Sequence, residues 1–370
     1  DALRFAYDPR GLETMRSTDA GFALTQGYSN LGLLVEQIAG PLSALPEEIR
    51  YGALTGDHRN DHITRAGALA HRTYQWDRAH RPVSVNDRIT GEKRFDYDPR
   101  GQAVGVTKTS RHGDTTLVSR FGYDPSQNLT EIATGMAREK VSQDAGRVRQ
   151  RGHVHYTHDD AGRVIEKRIE EPGFRPRIWR MGWNAQGHLV RLETPQGAVW
   201  RYVYDALGRR IQRLKVVSGG REDADSPGFI PAGQGRAYQW EGTRIVAEAP
   251  LGPDGTPDWE QAAHWVYDPG SYRPLARASG DELHYLVTDH IGTPREMFTQ
   301  DGTAVAWRQE LSLWGQPEAL DLPSRKYAAN LDHAPTCPIR FQGQWEDEES
   351  GLHYNNQRYY DPDATQHLSP

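Results

Sequence analysis

The stretch Arg4 to Gly11, RFAYDPRG, returns as RFDYDPRG at Arg94 to Gly101 and as RFGYDPSQN at Arg120 to Asn128. Further copies read YQWDRAHRPV from Tyr74, YTHDDAGRVIEKR from Tyr156, MGWNAQGHLVRLE from Met181 and YVYDALGRRIQRL from Tyr202. Worn copies follow from Tyr238 (YQWEGTRIVAE) and Trp265 (WVYDPGSYRPLA). The shared frame is aromatic, any residue, aromatic, Asp, two residues, Gly, polar, apolar. Its second aromatic falls at Tyr7, Trp76, Tyr97, Tyr123, Trp183, Tyr204, Trp240 and Tyr267, with His158 in the equivalent slot. From Trp76 onward these anchors are roughly 20 to 36 residues apart, within the range of repeat architectures.

Each unit has a local logic. Arg94-Phe95-Asp96-Tyr97 alternates polar with aromatic, the period of a strand. Asp98 then stands at the first position of a turn, where its carboxylate accepts from backbone N–H groups further on. Pro99 fixes φ for the next position. Gly101 supplies the positive φ that closes the turn into the returning strand. Val104, Val106 and Thr107 resume β-favouring chemistry. Asp8 with Gly11, Asp124, and Asp205 with Gly208 repeat the device. Every copy is therefore a hairpin.

A lone hairpin is marginal in water, and hairpins in series satisfy their edges by pairing side by side. The predicted class is all-β: antiparallel hairpins in one long, spiralling sheet. The anchors Tyr7, Tyr97, Tyr123 and Tyr204 are expected to stack as a cross-strand ladder, at about 0.2–1 kcal/mol per pair. Met136 to Arg151 reads either as a poorly amphipathic helix or as two more strands around Asp144-Ala145-Gly146. Ser218 to Gly235 and Ala249 to Asp258 read as loops. Gly40 to Arg50 leaves room for one helical turn after Pro46. No composition shift divides the chain before about Leu283, giving residues 1–282 as the repeat sheet and 283–370 as a closing segment.

Composition narrows the function. The 370 residues carry a net charge of −6, which argues against a general nucleic-acid or anionic-membrane binder. No run of apolar residues is long enough for a membrane-spanning helix. The start, Asp1-Ala2-Leu3-Arg4, lacks Met and the pattern of a signal peptide, and reads as the interior of a longer polypeptide. Mean hydropathy is low at −0.79, yet 10 Trp and 17 Tyr are too many for a disordered chain. The single cysteine, Cys337, forms no internal disulfide and reads as a packed thiol.

Tandem Tyr-Asp units ending in Gly-Arg or Gly-Asn resemble the YD repeats of Rhs proteins. The resemblance sharpens in HYLVTDHIGTPREMFTQDGTAVAWRQELSLWGQ (His284 to Gln316) and PIRFQGQWEDEESGLHYNNQRYYDPDATQHLSP (Pro338 to Pro370). These are similar to the closing segment of the Rhs core in bacterial polymorphic toxins. The resemblance implies a hollow shell made from one spiralling sheet, enclosing a C-terminal toxin domain of the same polypeptide. It also implies upstream Rhs repeats, a PAAR/VgrG-type delivery apparatus of type VI secretion, a cytoplasmic stay before export, and delivery into a target cell.

In that family the toxin is freed by single-turnover, aspartyl-type self-cleavage at an Asp-Pro-x-Gly-Leu motif. Paired carboxylates divide the work of base and acid because both cannot ionise together. One partner is expected beyond Pro370. The other, by match to Glu-Asp-Glu-Glu-Ser-Gly-Leu, is Asp347, with Asp361 and Asp363 as further candidates. Thr365-Gln366-His367-Leu368 departs from the usual Gly-Arg-Phe-Ile. On local sequence alone, Glu346 to Gly351 is a solvated hairpin turn.

Other constellations read as structural. His153 and His155 share a strand face as zinc would want, but no Cys or close carboxylate completes a site, and His158 fills a repeat slot. Asp289, His290 and Ser312 lack the nucleophile elbow of a hydrolase and read as a turn with a buried polar network. Glu222-Asp223-Ala224-Asp225 lacks an EF-hand frame. Asn128-Leu129-Thr130 is a chance sequon. No cofactor or metal is expected. The rival reading is an extracellular adhesion or glycan-binding module with exposed aromatic rows.

Overall fold

The computed structural model describes residues 2–44, 68–113, 116–216, 231–320 and 335–370. Twenty-five strands form one antiparallel sheet from Leu3–Tyr7 to Val305–Arg308. Each strand pairs with its predecessor and its successor, so the chain is a continuous meander. The sheet runs through Leu283 without a break. A second, four-stranded sheet follows: Gln344–Asp347, Leu352–Asn355, Arg358–Asp361 and Gln366–His367.

The repeat is built as its residues dictate. Asp98 Oδ1 accepts from the N–H groups of Arg100 (2.9 Å) and Gln102 (2.8 Å), and Gly101 takes φ +89°. Asp8 and Asp205 make the same pair of contacts. Gln127 in the Asp124 turn and His80 in the Asp77 turn hold the left-handed position at φ +68° and +61°, a strain that glycine avoids in the Asp8, Asp98 and Asp205 turns. Each anchor sits at a β-bulge, as Tyr97 opposite Ala103 and Tyr204 opposite Arg210. An extra residue at that point bends and twists the strand.

The anchors do not stack on one another. Instead every Tyr or Trp anchor after Tyr7 reaches back to the preceding hairpin and donates to a carbonyl opposite that hairpin's bulge. Tyr97 Oη bonds Pro82 O, Tyr123 Oη bonds Ala103 O, and Tyr204 Oη bonds Leu189 O (2.9, 2.9 and 2.7 Å). Trp76, Trp183 and Trp240 do the same through Nε1. The bulge frees a carbonyl there, and a ring with a polar tip satisfies it better than ring stacking would. The arginine after the turn glycine reaches forward. Arg163 and Arg209 each pair with the turn acid through Nε (2.7 Å) and donate from Nη1 to the next unit, at Asn184 O and Gly242 O.

Met136 to Arg151 forms the two-strand alternative, Ala137–Asp144 and Arg147–Arg151. Gln143 takes its anchor slot and donates to Leu129 O at 3.1 Å. The loop expected to end at Gly235 is corrected: Pro231–Glu241 is a strand that pairs with its neighbours on both sides. A 3-10 turn forms at Leu42–Ala44; the turn expected after Pro46 and the acidic run Glu222 to Asp225 lie outside the described residues.

The sheet curls until its first strands lie against its last. Phe22 stacks on Tyr285 (5.0 Å) and tilts against Phe298 (5.3 Å) within an apolar cluster that includes Leu24, Ala39, Leu69, Val287 and Val305. Arg72, wholly buried, bonds Asp87 (2.8 Å) and Glu296, and Glu296 also faces Arg308 (3.4 Å). On the opposite, concave face, residues from Val106 to Met297 converge on one larger core. The second sheet fills it with Trp345, Leu352, Tyr354, Tyr359 and Leu368.

Candidate functional site

One face of the second sheet is wholly buried, and His353 is buried on the other. Trp345, Asp347, Leu352, Tyr354, Tyr359, Asp361 and Leu368 line its buried face, none above 4 % exposed. Two carboxylates on that face need partners, because an unpaired buried charge is costly. The wall supplies them.

Arg210, 0 % exposed, donates from Nη1 to Asp347 Oδ2 (2.5 Å) and to Tyr359 Oη (2.8 Å). Its guanidinium lies over Tyr354 at 4.2 Å and Tyr238 at 4.9 Å, a cation–π cage. Its backbone N–H donates to Tyr354 Oη (2.8 Å). Arg213 bonds Tyr238 Oη (2.8 Å) and Glu349, and Tyr202 Oη donates to Glu349 Oε1 (3.0 Å). Burial works against the Arg210 charge, but Asp347 and the surrounding phenols outweigh it and hold the guanidinium well above its ordinary range. Burial and the nearby Asp347 push Glu349 up, with Arg213 opposing. Asp347 Oδ1 makes no hydrogen bond; Arg213 Nε stands 3.8 Å away.

Asp361 and Asp363 share a different cation. Lys167 Nζ lies 2.9 Å from Asp361 and 2.7 Å from Asp363, while Tyr156 Oη donates to Asp361 Oδ2 (3.1 Å). Gln316 donates to Asp363 Oδ1 (2.8 Å). Burial raises Asp363, but Lys167 and the Gln316 bond bring it below the usual carboxylate range. Among the described residues no hydrogen bond joins Asp347 to Asp361 or Asp363.

The hairpin at Glu346 to Gly351 is present but not solvated: Asp347 and the Glu349 side chain are buried, and Ser350 and Gly351 N–H both return to Asp347 O. The wall cations escaped the sequence reading, although a signal exists. Five residues past each turn residue the repeat places a buried apolar group: Leu129, Val164 and Leu189. Arg210 holds that slot in its copy. Three residues further, Ile132 and Leu192 are buried, whereas Lys167 and Arg213 hold the equivalent positions. A charge in an apolar slot announces a buried partner.

The remaining candidates are structural. Asp289 Oδ1 caps Ile291 and Thr293 N–H, and Ser312 Oγ caps Trp314 and Gln316 N–H, as turn residues. His155 lies 3.9 Å from Glu170, and His158 contacts Arg149 (3.4 Å). Asn128 bonds the Asp124 carboxylate. Cys337 is buried, and burial pushes its thiol up to about 12.

Comparison with known proteins fits this architecture. The teneurin YD-shell family model matches residues 80–221, and the RHS protein model matches 283–317. The whole chain aligns with the probable deoxyribonuclease RhsA of Dickeya dadantii at 30% identity, spanning 22% of that protein. The toxin protein Tse5 of Pseudomonas aeruginosa is 26% identical over 89% of this chain and 27% of its own length. The chain thus spans about a quarter or less of these relatives. The Photorhabdus luminescens Tc holotoxin pore shares the fold, with a TM-score of 0.67 over 99% of this chain and 18% of that one, at 14% identity. Hairpin frame, meander and relatives agree, and the chain belongs to the Rhs family of YD-repeat shell proteins found in polymorphic toxins.

Proposed function

We propose that this chain is the closing wall of a shell that encloses and restrains a toxin domain carried on the same polypeptide. The observation that carries this reading is the docking of the second sheet on the concave face, registered by Arg210 on Asp347 and Lys167 on Asp361. A wall whose own closing segment is pinned inside it can hold a guest by steric confinement. The anchor rings of Tyr123, Trp183, Tyr204, Trp240 and Tyr267 pack against the core, which favours this over glycan adhesion, for which free ring faces are needed.

Asp347 supplies one carboxylate of a single-turnover aspartyl pair, and the second comes from the polypeptide beyond Pro370. Arg210 holds Asp347 in place; Oδ1 carries no hydrogen bond but is closed to solvent, so the second carboxyl and the water must enter against it with the polypeptide beyond Pro370. Delivery by a type VI apparatus, with a cytoplasmic stay before export into a target cell, completes the proposal. The test is expression of the full-length polypeptide with and without Asp347→Asn. Release of a C-terminal fragment from the parent, and an uncut but folded variant, is expected. Equal cutting in both removes Asp347 from the site. Digestion of the toxin domain by added protease at the rate of its isolated form removes the enclosure.

A further inference from the structure

Lys167, Arg213 and Arg277 occupy one and the same repeat position. Each is the direct cross-strand partner of the aromatic residue two places before its hairpin's anchor: Tyr156, Tyr202 and Trp265. Direct partners project from one face of a sheet and can grip one ligand together. In the first two hairpins they do. Lys167 Nζ and Tyr156 Oη both bond Asp361 (2.9 and 3.1 Å). Arg213 and Tyr202 Oη both bond Glu349.

The third pair keeps the donors and lacks the acid. Opposite Trp265 the docked sheet presents Trp345, whose ring meets it edge-on at 5.5 Å. The Arg277 guanidinium lies 5.8 Å from the Trp265 ring centroid and forms no ion pair or hydrogen bond among the described residues. Arg277 Nε and Trp265 Nε1 are closed to solvent, but neither Arg277 Nη is, and the residue as a whole is partly exposed. The Nη end is therefore where a ligand can meet it.

The surroundings do not neutralise this cation. Burial lowers the pKa of Arg277; Glu248 and Glu282 oppose that without forming an ion pair, and Arg236 adds like charge. Its partner on the next strand, His284, is favoured as the neutral imidazole by burial. A desolvated charge without a counter-ion is costly, and a guanidinium fork matches the two oxygens of a carboxylate. Glu248 shares the face, two strands away, and is 8 % exposed. It repels a dianion such as phosphate more than it repels a carboxylate.

We propose that Arg277 binds a third carboxylate through its Nη groups, one that the docked sheet does not supply. The chemistry is shared by a free carboxylate and by an Asp or Glu side chain of a further stretch of polypeptide.

The test is fluorine NMR of the full chain titrated with trifluoroacetate, with trifluoroethanol as the neutral control. Saturable binding is expected for trifluoroacetate alone. Arg277→Met should weaken it by about tenfold or more, the worth of charge-assisted hydrogen bonds. That variant loses an unpaired, partly buried charge, so it should melt no earlier than the parent. Arg277→Lys keeps the charge without the fork and should bind with intermediate affinity. Glu248→Gln removes a repulsion and should tighten binding. A second arm displaces the probe with acetate or with N-acetyl-Gly-Asp-Gly-amide. Displacement by the peptide at a lower concentration than acetate assigns the site to a side chain; displacement by the peptide only at a higher concentration, or not at all, assigns it to a free carboxylate. No saturable binding, or binding unchanged in Arg277→Met, overturns the proposal. Earlier melting of both Arg277→Met and Glu248→Gln makes Glu248 the internal partner and overturns it too. None of these readouts depends on shell enclosure or on cleavage.

Discussion

Arg210 Nη1 and Asp347 Oδ2 meet at 2.5 Å with neither side chain touching solvent, although 137 residues separate them in sequence. One belongs to the wall and the other to the sheet docked on it. Removing either partner leaves an uncompensated buried charge. Arg210→Met is expected to cost about 3–5 kcal/mol, and Arg210→Met with Asp347→Leu should recover most of that loss. Urea unfolding of the two variants checks both signs. Equal loss in single and double variants would mean that the ion pair does not set the docking.

The anchor straps predict a graded series. Tyr204→Phe deletes the bond to Leu189 O but keeps the ring, and should cost about 1 kcal/mol. Tyr7 is 58 % exposed, and Tyr7→Phe should leave stability unchanged. The difference is read from denaturant midpoints at constant slope.

The turn acid and glycine should separate cleanly. Gly208→Ala forces a side chain into φ +76°, at about 1–2 kcal/mol. Asp205→Asn keeps an acceptor for the Leu207 and Arg209 N–H groups and loses only the Arg209 ion pair. It should therefore be milder than Asp205→Ala, by about 1 kcal/mol.

Acid should loosen the docked sheet through His353. Burial, with Arg340 nearby, lowers its pKa from 6.5 to about 3. The unfolded chain therefore binds a proton between those values and the folded chain does not. The stability this neutral histidine permits is complete above pH 6.5 and is lost as pH falls toward 3, at up to about 1.4 kcal/mol per unit. His353→Gln cannot titrate. Between pH 7 and 4.5 the parent should lose about 2 kcal/mol more than the variant, measured by unfolding at each pH.

The curl is held by a buried charge group. Glu296→Gln removes the counter-charge shared by Arg72 and Arg308. It should expose the first strands to limited proteolysis before the rest of the sheet, with fragments beginning after about residue 90. Uniform digestion would place the weak point elsewhere.

The hairpins were legible because each is a local event: alternation, a turn acid and a glycine lie within eight residues. Gln143 was missed as an anchor because an amide replaces the ring. The destination of the anchor hydroxyls was misjudged because ring chemistry alone does not reveal a carbonyl freed by a bulge. The docking cations were visible as charges in apolar slots, but only once the slots at Leu129, Val164 and Leu189 are known to be buried. The contact of Phe22 with Tyr285 spans most of the chain, and no local pattern encodes so distant a pairing.

Along most of the sheet a hairpin grips the one before it with an aromatic tip, and units such as those of Arg163 and Arg209 also grip the one after it with an arginine. A unit can then be duplicated or deleted at any seam whose two grips are re-formed. The girth of such a wall can grow in whole-hairpin steps while the closing sheet docked on it stays unchanged.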